Sequence, residues 1–344
     1  MSTGTATATP ARILDIGFGF WPSKTLLSAV EIGLFTVLGK RCMTGKALED
    51  ALRLHPRATP DFFDALVALK LLERDGEGAA ARYRNTSEAA HFLDRDSASY
   101  IGGILEMANA RLYPFWGDLT EALRTGRPQN EVKHSGKPMF EELYRDPKRL
   151  EQFMDAMSGI SLANFQAFAS KFDFSGYKTL CDVGGATGQL SLIVAREHEH
   201  MRCTTADLQV VTPIATRKIA AADLDDRVKA VSVDFLAEPL PRADVITMGM
   251  ILHDWNLDKK MHLIRAAYDA LPEGGAFVAI ENLIDDARRE NAFGLMMSLN
   301  MLIEFGDAFD FTGRDFEGWC RSTGFRKVEI IPLAGAASAA VAYK

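Results

Sequence analysis

The spacing of apolar residues changes about half-way along this chain of 344 residues. Before residue 174 the apolar residues recur mostly at helical spacing. From residue 177 onwards short apolar runs alternate with helical stretches, which is typical of parallel βαβ units in a doubly wound sheet. The runs cover residues 179–183, 201–206, 228–233, 243–249 and 275–280, and the helical stretches cover 188–198, 212–222 and 257–271. We therefore predict an α/β fold with two domains, residues 11–173 and 174–344.

The first domain is expected to be mostly helical. Helical patterns cover residues 13–37, 47–72 with a break near Pro56–Pro60, 100–123 and 148–172. Residues 72–84 instead read as two short strands joined by a glycine turn, a small wing. Near the other end of the chain, residues 327–332 and 336–343 read as two tightly joined strands. They predict a hairpin at one edge of the large sheet.

Composition and charge narrow the function. A net charge of −7 argues against a nucleic-acid partner, because phosphate binding needs a basic surface. No apolar run reaches the roughly eighteen residues that a membrane-spanning helix needs, and residues 1–10 lack the order of a signal peptide. We therefore expect a cytoplasmic protein without a membrane partner. The four cysteines are scattered, which argues against a disulfide framework or a zinc site.

Two glycine-rich segments could hold a nucleotide-like cofactor. The first, Ile13-Leu-Asp-Ile-Gly-Phe-Gly-Phe-Trp-Pro22, has Trp21 where a third glycine would permit close helix–strand packing. No βαβ pattern follows it, so we interpret it as an aromatic helix that packs against a partner. The apolar segment 18–38 is accordingly expected to form a homodimer interface, because such a patch is a liability on a monomer.

The second segment, Asp182-Val-Gly-Gly-Ala-Thr-Gly188, has the expected context. Asp182 ends a predicted strand, Gly184, Gly185 and Gly188 form a turn, and a helix follows with its N-terminal N–H groups facing the ligand. The glycines alone could equally serve the backbone of an ordinary turn. Asp207, however, ends the next predicted strand, nineteen residues past Gly188, where a carboxylate can accept both hydroxyls of a ribose. The combination favours cofactor binding.

Four motifs then occur in order along the second domain: Asp182-Val-Gly-Gly-Ala-Thr-Gly188, Asp207, Asp234-Phe235 and Leu252-His-Asp-Trp255. In this combination they resemble the S-adenosylmethionine-dependent small-molecule O-methyltransferases of the plant caffeate and acetylserotonin type, and their bacterial relatives that tailor aromatic natural products. The resemblance covers nearly the whole chain, because residues 11–95 are similar to that family's winged-helix-like dimerisation domain. It implies a Rossmann-like catalytic domain that binds S-adenosylmethionine, without a metal ion, and methylates a hydroxyl of a small aromatic acceptor.

The resemblance also implies roles for single residues. Gly184 and its neighbours approach the methionine part of the cofactor, and Asp207 binds the ribose. The other implied roles are adenine binding by Asp234 and Phe235, general-base catalysis by His253, and contact with that histidine by the flanking acids Glu281 and Asp310.

The chain departs from the family pattern at three places. Ala186 stands where the middle motif glycine is usual, and Gly249 stands where many relatives have a cofactor-contacting lysine. Asp310-Phe-Thr312 replaces the usual Glu-Arg-Thr, so the second flanking acid is shorter and its neighbouring arginine is missing. The role of Asp310 is therefore more open than that of Glu281.

The chemistry of a histidine fits this reaction. A phenol with a pKa of about 10 is mainly protonated at pH 7, and a histidine with a pKa near 6.5 can remove that proton as the methyl group transfers. General bases of this kind contribute roughly 100- to 10,000-fold. His253 could alternatively be a structural histidine at a strand end, but its place after the fourth strand, on the cofactor side of the sheet, favours catalysis.

Several residues are candidates for the acceptor pocket, which we expect both domains to line. Asp254 could contact the substrate or cap the helix that begins near Leu257, and Trp255 could simply fill core space. The other candidates share an apolar, aromatic or amide side chain: Met107, Tyr113, Phe115, Trp116, Phe153, Met154, Met157, Asn300, Met301 and Phe305. As a set they suit a flat apolar acceptor, although each could be ordinary core packing.

Two alternative functions remain at this point. The same cofactor and base could methylate carbon or nitrogen instead of a hydroxyl. A winged-helix DNA-binding regulator is a more remote alternative, because Lys46, Arg53 and Arg57 offer little positive charge on the presumed recognition helix and Glu49 and Asp50 oppose it.

Overall fold

The structure, a computed structural model, describes residues 8–97, 99–136, 143–144 and 147–344. The chain divides into two compact units, Met1–Tyr113 and Pro114–Lys344. The boundary that we predicted at residues 173–174 lies inside the second unit. The helix that ends at Lys171 packs through Phe168 onto the core of the large sheet, which explains why it belongs with that sheet.

In the part of the first unit that the structure describes, seven α-helices accompany a small sheet. Helices α1 to α7 span Ala11–Gly17, Phe20–Glu31, Leu34–Leu38, Gly45–Leu52, Thr59–Ala68, Ser87–Phe92 and Gly102–Met107, and a π turn spans Ala108–Leu112. Strands β1 (Met43–Thr44), β2 (Leu72–Asp75) and β3 (Arg82–Asn85) form an antiparallel sheet in the order β1-β3-β2. The two strands predicted over residues 72–84 are therefore present, and β1 adds a third.

Apolar side chains at helical spacing form the core of this unit, with Phe35, Phe63 and Leu66 fully buried. The break near Pro56–Pro60 is present between α4 and α5. The helix predicted over residues 100–123 is instead broken into short segments. Pro114 lacks the N–H that a regular α-helix needs, and the π turn Ala108–Leu112 directly precedes the short segment that contains it.

The glycine-rich segment that we rejected as a cofactor loop is helical, because α1 covers Ala11–Gly17 where a nucleotide-binding loop would need a strand. Its apolar side chains are exposed in the single chain: Ile13, Leu14, Ile16, Phe18, Phe20 and Trp21. On α4, Lys46 pairs with Glu49 at 2.8 Å and with Asp50 at 2.6 Å. The positive charge of Lys46 on the presumed recognition helix is therefore neutralised by carboxylates of the same helix.

The second unit is built on a seven-stranded sheet. Strands β4 to β10 span Thr179–Val183, Arg202–Asp207, Val228–Ser232, Val245–Gly249, Ala276–Glu281, Lys327–Pro332 and Ser338–Tyr343. Their order is β6-β5-β4-β7-β8-β10-β9, and β10 runs antiparallel to both of its neighbours while the other pairs are parallel. The predicted parallel strands and the hairpin at the sheet edge are confirmed.

Helices cover both faces of this sheet. Helices α8 to α16 span Tyr113–Trp116, Leu119–Thr125, Glu131–Ser135, Pro147–Lys171, Gln189–Glu197, Thr212–Ala221, Leu257–Ala270, Ala292–Phe305 and Gly313–Thr323. Helices α11 to α14 match the predicted stretches within a few residues, whereas α15 and α16 were not predicted. Across the described ranges, no helix has both the length and the apolarity of a membrane span.

The position of the site follows from the strand order. Strand β4 lies between β5 and β7, so the sequence order reverses there and a crevice opens at the carboxyl ends of these strands. Strands β4, β7 and β8 are buried almost throughout, as expected for parallel strands covered on both faces. The loops that leave these buried strands therefore start from a rigid base.

Candidate active site

The glycine loop leaves β4 and turns sharply into α12. Gly184 and Gly188 have φ values of +69° and +78°, in the left-handed region that glycine tolerates best. Ala186 also lies there, at φ +48°, without the freedom of a glycine. An alanine at this position therefore adds a methyl group and also places a non-glycine residue in a strained backbone conformation.

Gly185 is needed because the loop lies directly over two neighbouring strands. A Cβ atom at this residue would lie 2.2 Å from Thr205 Oγ1 and 2.7 Å from Asp182 Oδ2. The Asp182 carboxylate is in turn held by the Thr247 hydroxyl, which donates to its Oδ1 at 2.7 Å. Burial raises the pKa of Asp182 to about 7, so this carboxyl is partly protonated near neutral pH.

Asp207 ties the end of β5 to the same loop. One of its oxygens accepts the N–H of Ala186 at 2.9 Å, and the other accepts the N–H of Leu208 at 2.7 Å. Burial nevertheless raises the pKa of Asp207. Each oxygen keeps a lone pair for a further donor, so the carboxylate fits a cofactor that presents two neighbouring hydroxyls.

Phe235 and Asp234 differ in how they meet the loop. The half-buried Phe235 ring lies beside Gly184, 3.8 Å from where a Cβ atom would be. Asp234 is exposed, and its carboxylate accepts the N–H of Leu236 at 3.1 Å within its own turn. The ring is thus close to the loop, while adenine binding by either residue stays a prediction.

Helix α11 closes the other side of the loop, and the sequence did not indicate this. The Ser158 and Thr187 hydroxyls lie 2.7 Å apart, and Phe153 packs with Ala186 against a buried cluster that contains Met154. Phe153 and Met154, two candidates for the acceptor pocket, therefore pack next to the glycine loop.

Helix α11 also reaches the end of β7. A Cβ atom at Gly249 would lie 3.1 Å from the Phe165 ring, so this aromatic side chain fills the space beside the glycine. A longer side chain at position 249 would have to displace the ring.

His253 lies in a short 3₁₀ turn, Leu252–Asp254, directly after β7. Met250, which enters this turn, has a φ of +56°, an uncommon value for a non-glycine residue that often marks a functional site. Glu281 Oε1, at the end of β8, accepts the N–H groups of Leu252 at 3.0 Å and His253 at 3.3 Å. Glu281 therefore holds the backbone of the turn, and its carboxylate also lies within 4.8 Å of a ring nitrogen of His253, as expected for a flanking acid.

Two other carboxylates face the buried imidazole. Asp310 Oδ1 lies 3.4 Å from Nδ1 of His253, and Asp254 Oδ1 lies 3.3 Å from Nε2. Each ring nitrogen thus faces one carboxylate. Asp310 has a shorter side chain than the glutamate that the family pattern leads one to expect, but its carboxylate still reaches the imidazole ring.

These groups change each other's protonation. Burial opposes a charged imidazole, but Glu281, Asp254 and Asp310 together raise the pKa of His253 above its ordinary value. Burial raises the pKa values of Asp254 and Glu281 as well. The set titrates as a coupled unit, and the neutral imidazole that can accept a proton is the minor form at pH 7.

A buried lysine completes the surroundings. Lys260 on α14 is fully buried, and its ammonium group donates to the carbonyl oxygen of Trp255. We did not single it out from the sequence. Its spacing to Leu263, Ile264 and Ala267, which are also buried, is the helical period that could have identified it.

Comparison with known proteins adds a family to this geometry. Residues 116–326 match the O-methyltransferase domain, and residues 14–95 match the O-methyltransferase dimerisation domain. The chain belongs to the O-methyltransferase family. The tetracenomycin polyketide synthesis 8-O-methyl transferase TcmO of Streptomyces glaucescens is 38% identical, over 97% of both chains.

The names of other relatives of this methyltransferase indicate methylation of different atoms, oxygen or nitrogen. The 3-hydroxy-5-methyl-1-naphthoate 3-O-methyltransferase of Streptomyces sahachiroi is 34% identical, over 94% of this chain and 92% of the relative. The N,N-dimethyltransferase OxyT of Streptomyces rimosus is also 34% identical, over 91% and 90%. Human N-acetylserotonin methyltransferase in complex with S-adenosylmethionine is 28% identical, with a TM-score of 0.90, over 100% of this chain and 99% of the other. The cofactor of this methyltransferase is S-adenosylmethionine.

The residues after His253 in this methyltransferase have separate tasks. Asn256 caps α14, since its side chain accepts the N–H of Lys259 at 3.1 Å. The interpretation of Asp254 as that cap is therefore wrong, because the carboxylate faces the imidazole instead. Trp255 is half-buried and packs at the edge of a hydrophobic core.

The structure brings one pair of predicted acceptor residues together. The Trp116 indole N–H donates to Asn300 Oδ1 at 2.9 Å, which orients the amide on α15. Met157 is half-buried on α11, and Met301 is buried. Met107 ends α7 in the first unit, so its part in an acceptor pocket stays a prediction.

Proposed function

We propose that this O-methyltransferase methylates a phenolic hydroxyl of a small aromatic compound, with His253 as general base. The observation that carries the proposal is the buried imidazole between two carboxylates. It lies at the carboxyl edge of the sheet, two residues after Ile251, whose side chain packs against Gly184 of the glycine loop. The reaction requires a base near the cofactor loop, with room for the acceptor between them.

The residues divide the work of the proton transfer. Bound S-adenosylmethionine supplies a methyl group that its positively charged sulfur already activates. His253 Nε2 would accept the proton of the acceptor hydroxyl as the oxygen takes the methyl group, and the cofactor sulfur would leave as a neutral thioether. Asp310 faces Nδ1 at 3.4 Å, and Glu281 accepts the backbone N–H groups of the turn. The acceptor hydroxyl must share or displace the contact between Nε2 and Asp254.

The cofactor site proposed here combines the glycine loop with the ends of the next two strands. We assign Gly184, Gly185 and Gly188 to the close approach of the backbone, and Asp207 to the ribose. We assign adenine contact to Asp234 and Phe235, which lie at the turn after β6.

An aromatic acceptor is supported by the relatives, one of which is named for a naphthoate. We propose that Met157 and Asn300 line its pocket in the second unit, with Asp254 as the polar contact near the base. A pocket of this composition favours a flat ring with a small number of fixed polar groups.

The test is replacement of His253 with alanine. We expect turnover with a phenolic acceptor to fall at least about a hundredfold, while affinity for S-adenosylmethionine measured by calorimetry barely changes. In the parent protein, kcat/KM should rise with pH through a midpoint well above 6.5, because the carboxylates raise the pKa of His253. His262→Ala, an exposed histidine on α14, is the control. Near-normal turnover of His253→Ala would rule out the general base.

Nitrogen methylation is a second candidate, because OxyT is named an N,N-dimethyltransferase. The same base could deprotonate an amine after or during transfer. Matched aromatic acceptors that differ only in a hydroxyl or an amino group at one position distinguish the two: faster methylation of the amine would favour the second candidate.

We also propose a homodimer formed through the first unit. Residues 14–95 match a dimerisation domain, and the exposed apolar side chains of α1 and α2 would be covered in such an assembly. A monomeric mass by light scattering at micromolar concentration would contradict this.

A further inference from the structure

Lys260 is the residue whose placement the proposed reaction does not yet explain. Its ammonium group is fully buried, and lysine is almost never buried unless a partner compensates the charge. The Nζ atom lies 3.7 Å from the centroid of the Phe309 ring and 5.8 Å from that of Phe311, so two aromatic rings flank the cation. These rings also flank Asp310 in the sequence.

Four carboxylates interact electrostatically with this buried cation. Asp254 lies on the 3₁₀ turn, Glu281 ends β8, and Asp307 and Asp310 lie on the loop between α15 and α16. The negative charges of these four carboxylates favour the charged form of Lys260. Three of them, Asp254, Glu281 and Asp310, are the groups that act on His253.

Without Lys260, the carboxylates near His253 carry more negative charge than a protonated imidazole can neutralise. Two buried carboxylates, Glu281 and Asp310, and the half-buried Asp254 act on one imidazole, and the lowest free energy for such a set places a proton on the ring. A histidine must be neutral to act as a base. A second positive charge near the carboxylates offsets part of their effect and so favours the neutral imidazole. Glu304, on α15, adds further negative charge toward Asp254.

We propose that Lys260 is the positive charge that lets His253 work as a neutral base, an inference that rests on the base role proposed above. Lys260 does not touch the reacting atoms and is therefore a positioning residue. Its hydrogen bond to the Trp255 carbonyl fixes the same turn that carries His253. Lys260 thus supplies a positive charge and also holds the turn that carries the imidazole.

The protonation of Lys260 is consistent with this task. Burial lowers its pKa to about 8 against the raising effect of Glu281, Asp310 and Asp254. The side chain is still mainly charged at pH 7 and loses its charge as the pH rises through 8. The positive charge of Lys260 is therefore present near pH 7, where the neutral form of His253 is otherwise scarce.

Two variants separate the charge from the hydrogen bond. Lys260→Gln removes the charge and keeps a donor for the Trp255 carbonyl, whereas Lys260→Met removes both. Lys259→Gln, the exposed neighbour on the same helix, is the matched control. The first readout is kcat/KM against pH; the second is the NMR titration of the His253 ring, assigned with His253→Ala.

At pH 7, where Lys260 is still charged, both Lys260 variants should lower kcat/KM about tenfold, because a smaller fraction of the His253 ring is neutral. This difference should fade above pH 8, where the parent lysine loses its charge, and Lys259→Gln should cause none. Glu281→Gln should shift the acid limb and the His253 titration downward. An unchanged kcat/KM at pH 7 in both Lys260 variants, a change in Lys260→Met alone, or loss of cooperative unfolding in both would overturn the proposal. If the onset of the His253 titration moves upward in both variants while His253→Ala remains active, Lys260 still tunes the ring and only the base role fails.

Discussion

Replacing Gly185 with alanine would place a methyl group where two buried side chains leave no room. The new Cβ atom would lie 2.2 Å from Thr205 Oγ1 and 2.7 Å from Asp182 Oδ2. Neither atom can retreat easily. Thr205 is β-branched and sits in a central strand, and the Asp182 carboxylate is held by Thr247.

The magnitude follows from these distances. Carbon and oxygen atoms pack at roughly 3.5 Å, so the loop or strand β5 must move by about 1 Å. Overpacking of this kind costs about 1–3 kcal/mol, and each kcal/mol lowers Tm by about 2–4 °C in a domain of this size. If the loop moves, about 2 kcal/mol appears in cofactor binding as a roughly thirtyfold rise in Kd.

Calorimetry with S-adenosylmethionine and thermal unfolding are the assays. Gly318→Ala is the control, since Gly318 lies on α16 and a Cβ atom there would meet nothing within 4 Å. The Gly185→Ala/Thr205→Ala pair should recover part of the loss, because Thr205 Oγ1 has no hydrogen-bond partner among the described residues. Unchanged Kd and Tm in Gly185→Ala would refute the packing argument.

Two further substitutions test the same loop. Ala186→Gly should raise the unfolding free energy by about 1 kcal/mol, because it relieves a left-handed backbone at φ +48°; a lower Tm would count against this. Asp182→Asn tests the carboxyl whose pKa burial raises from 3.8 to about 7. The folded state of the parent then binds more protons between these pH values, so its stability falls as pH rises through about 7, and the advantage of the variant in denaturant unfolding should grow over that range. A difference that is independent of pH would contradict the shift.

The sequence was sufficient for the large sheet and the cofactor loop because both are local patterns. Buried parallel strands read as short apolar runs, and the turn after β4 needs glycine at positions that only a few backbones can take. The carboxylate of Asp207 could be placed at the loop because consecutive parallel strands end at the same edge. These inferences needed no knowledge of distant contacts.

What the sequence could not predict depends on contacts between distant elements. Glu281 binds the backbone of the turn and Asp254 takes the ring nitrogen, a choice made by the 3₁₀ geometry after Met250. Phe165 comes from α11 to fill the space beside Gly249. Spacing along the chain carries no information on such contacts, because Glu281 lies 29 positions from Leu252 and Phe165 lies 84 positions from Gly249.

The central claim is that this protein transfers a methyl group to a phenolic oxygen with His253 as base. Incubation with S-adenosylmethionine that carries a deuterated methyl group, together with hydroxynaphthoate-type phenols, followed by mass spectrometry, tests it most directly. We predict one labelled methyl group on the phenolic oxygen with the parent protein, and at least about a hundredfold slower labelling with His253→Ala. Labelling at carbon or nitrogen alone, or equal labelling by both proteins, would contradict the account.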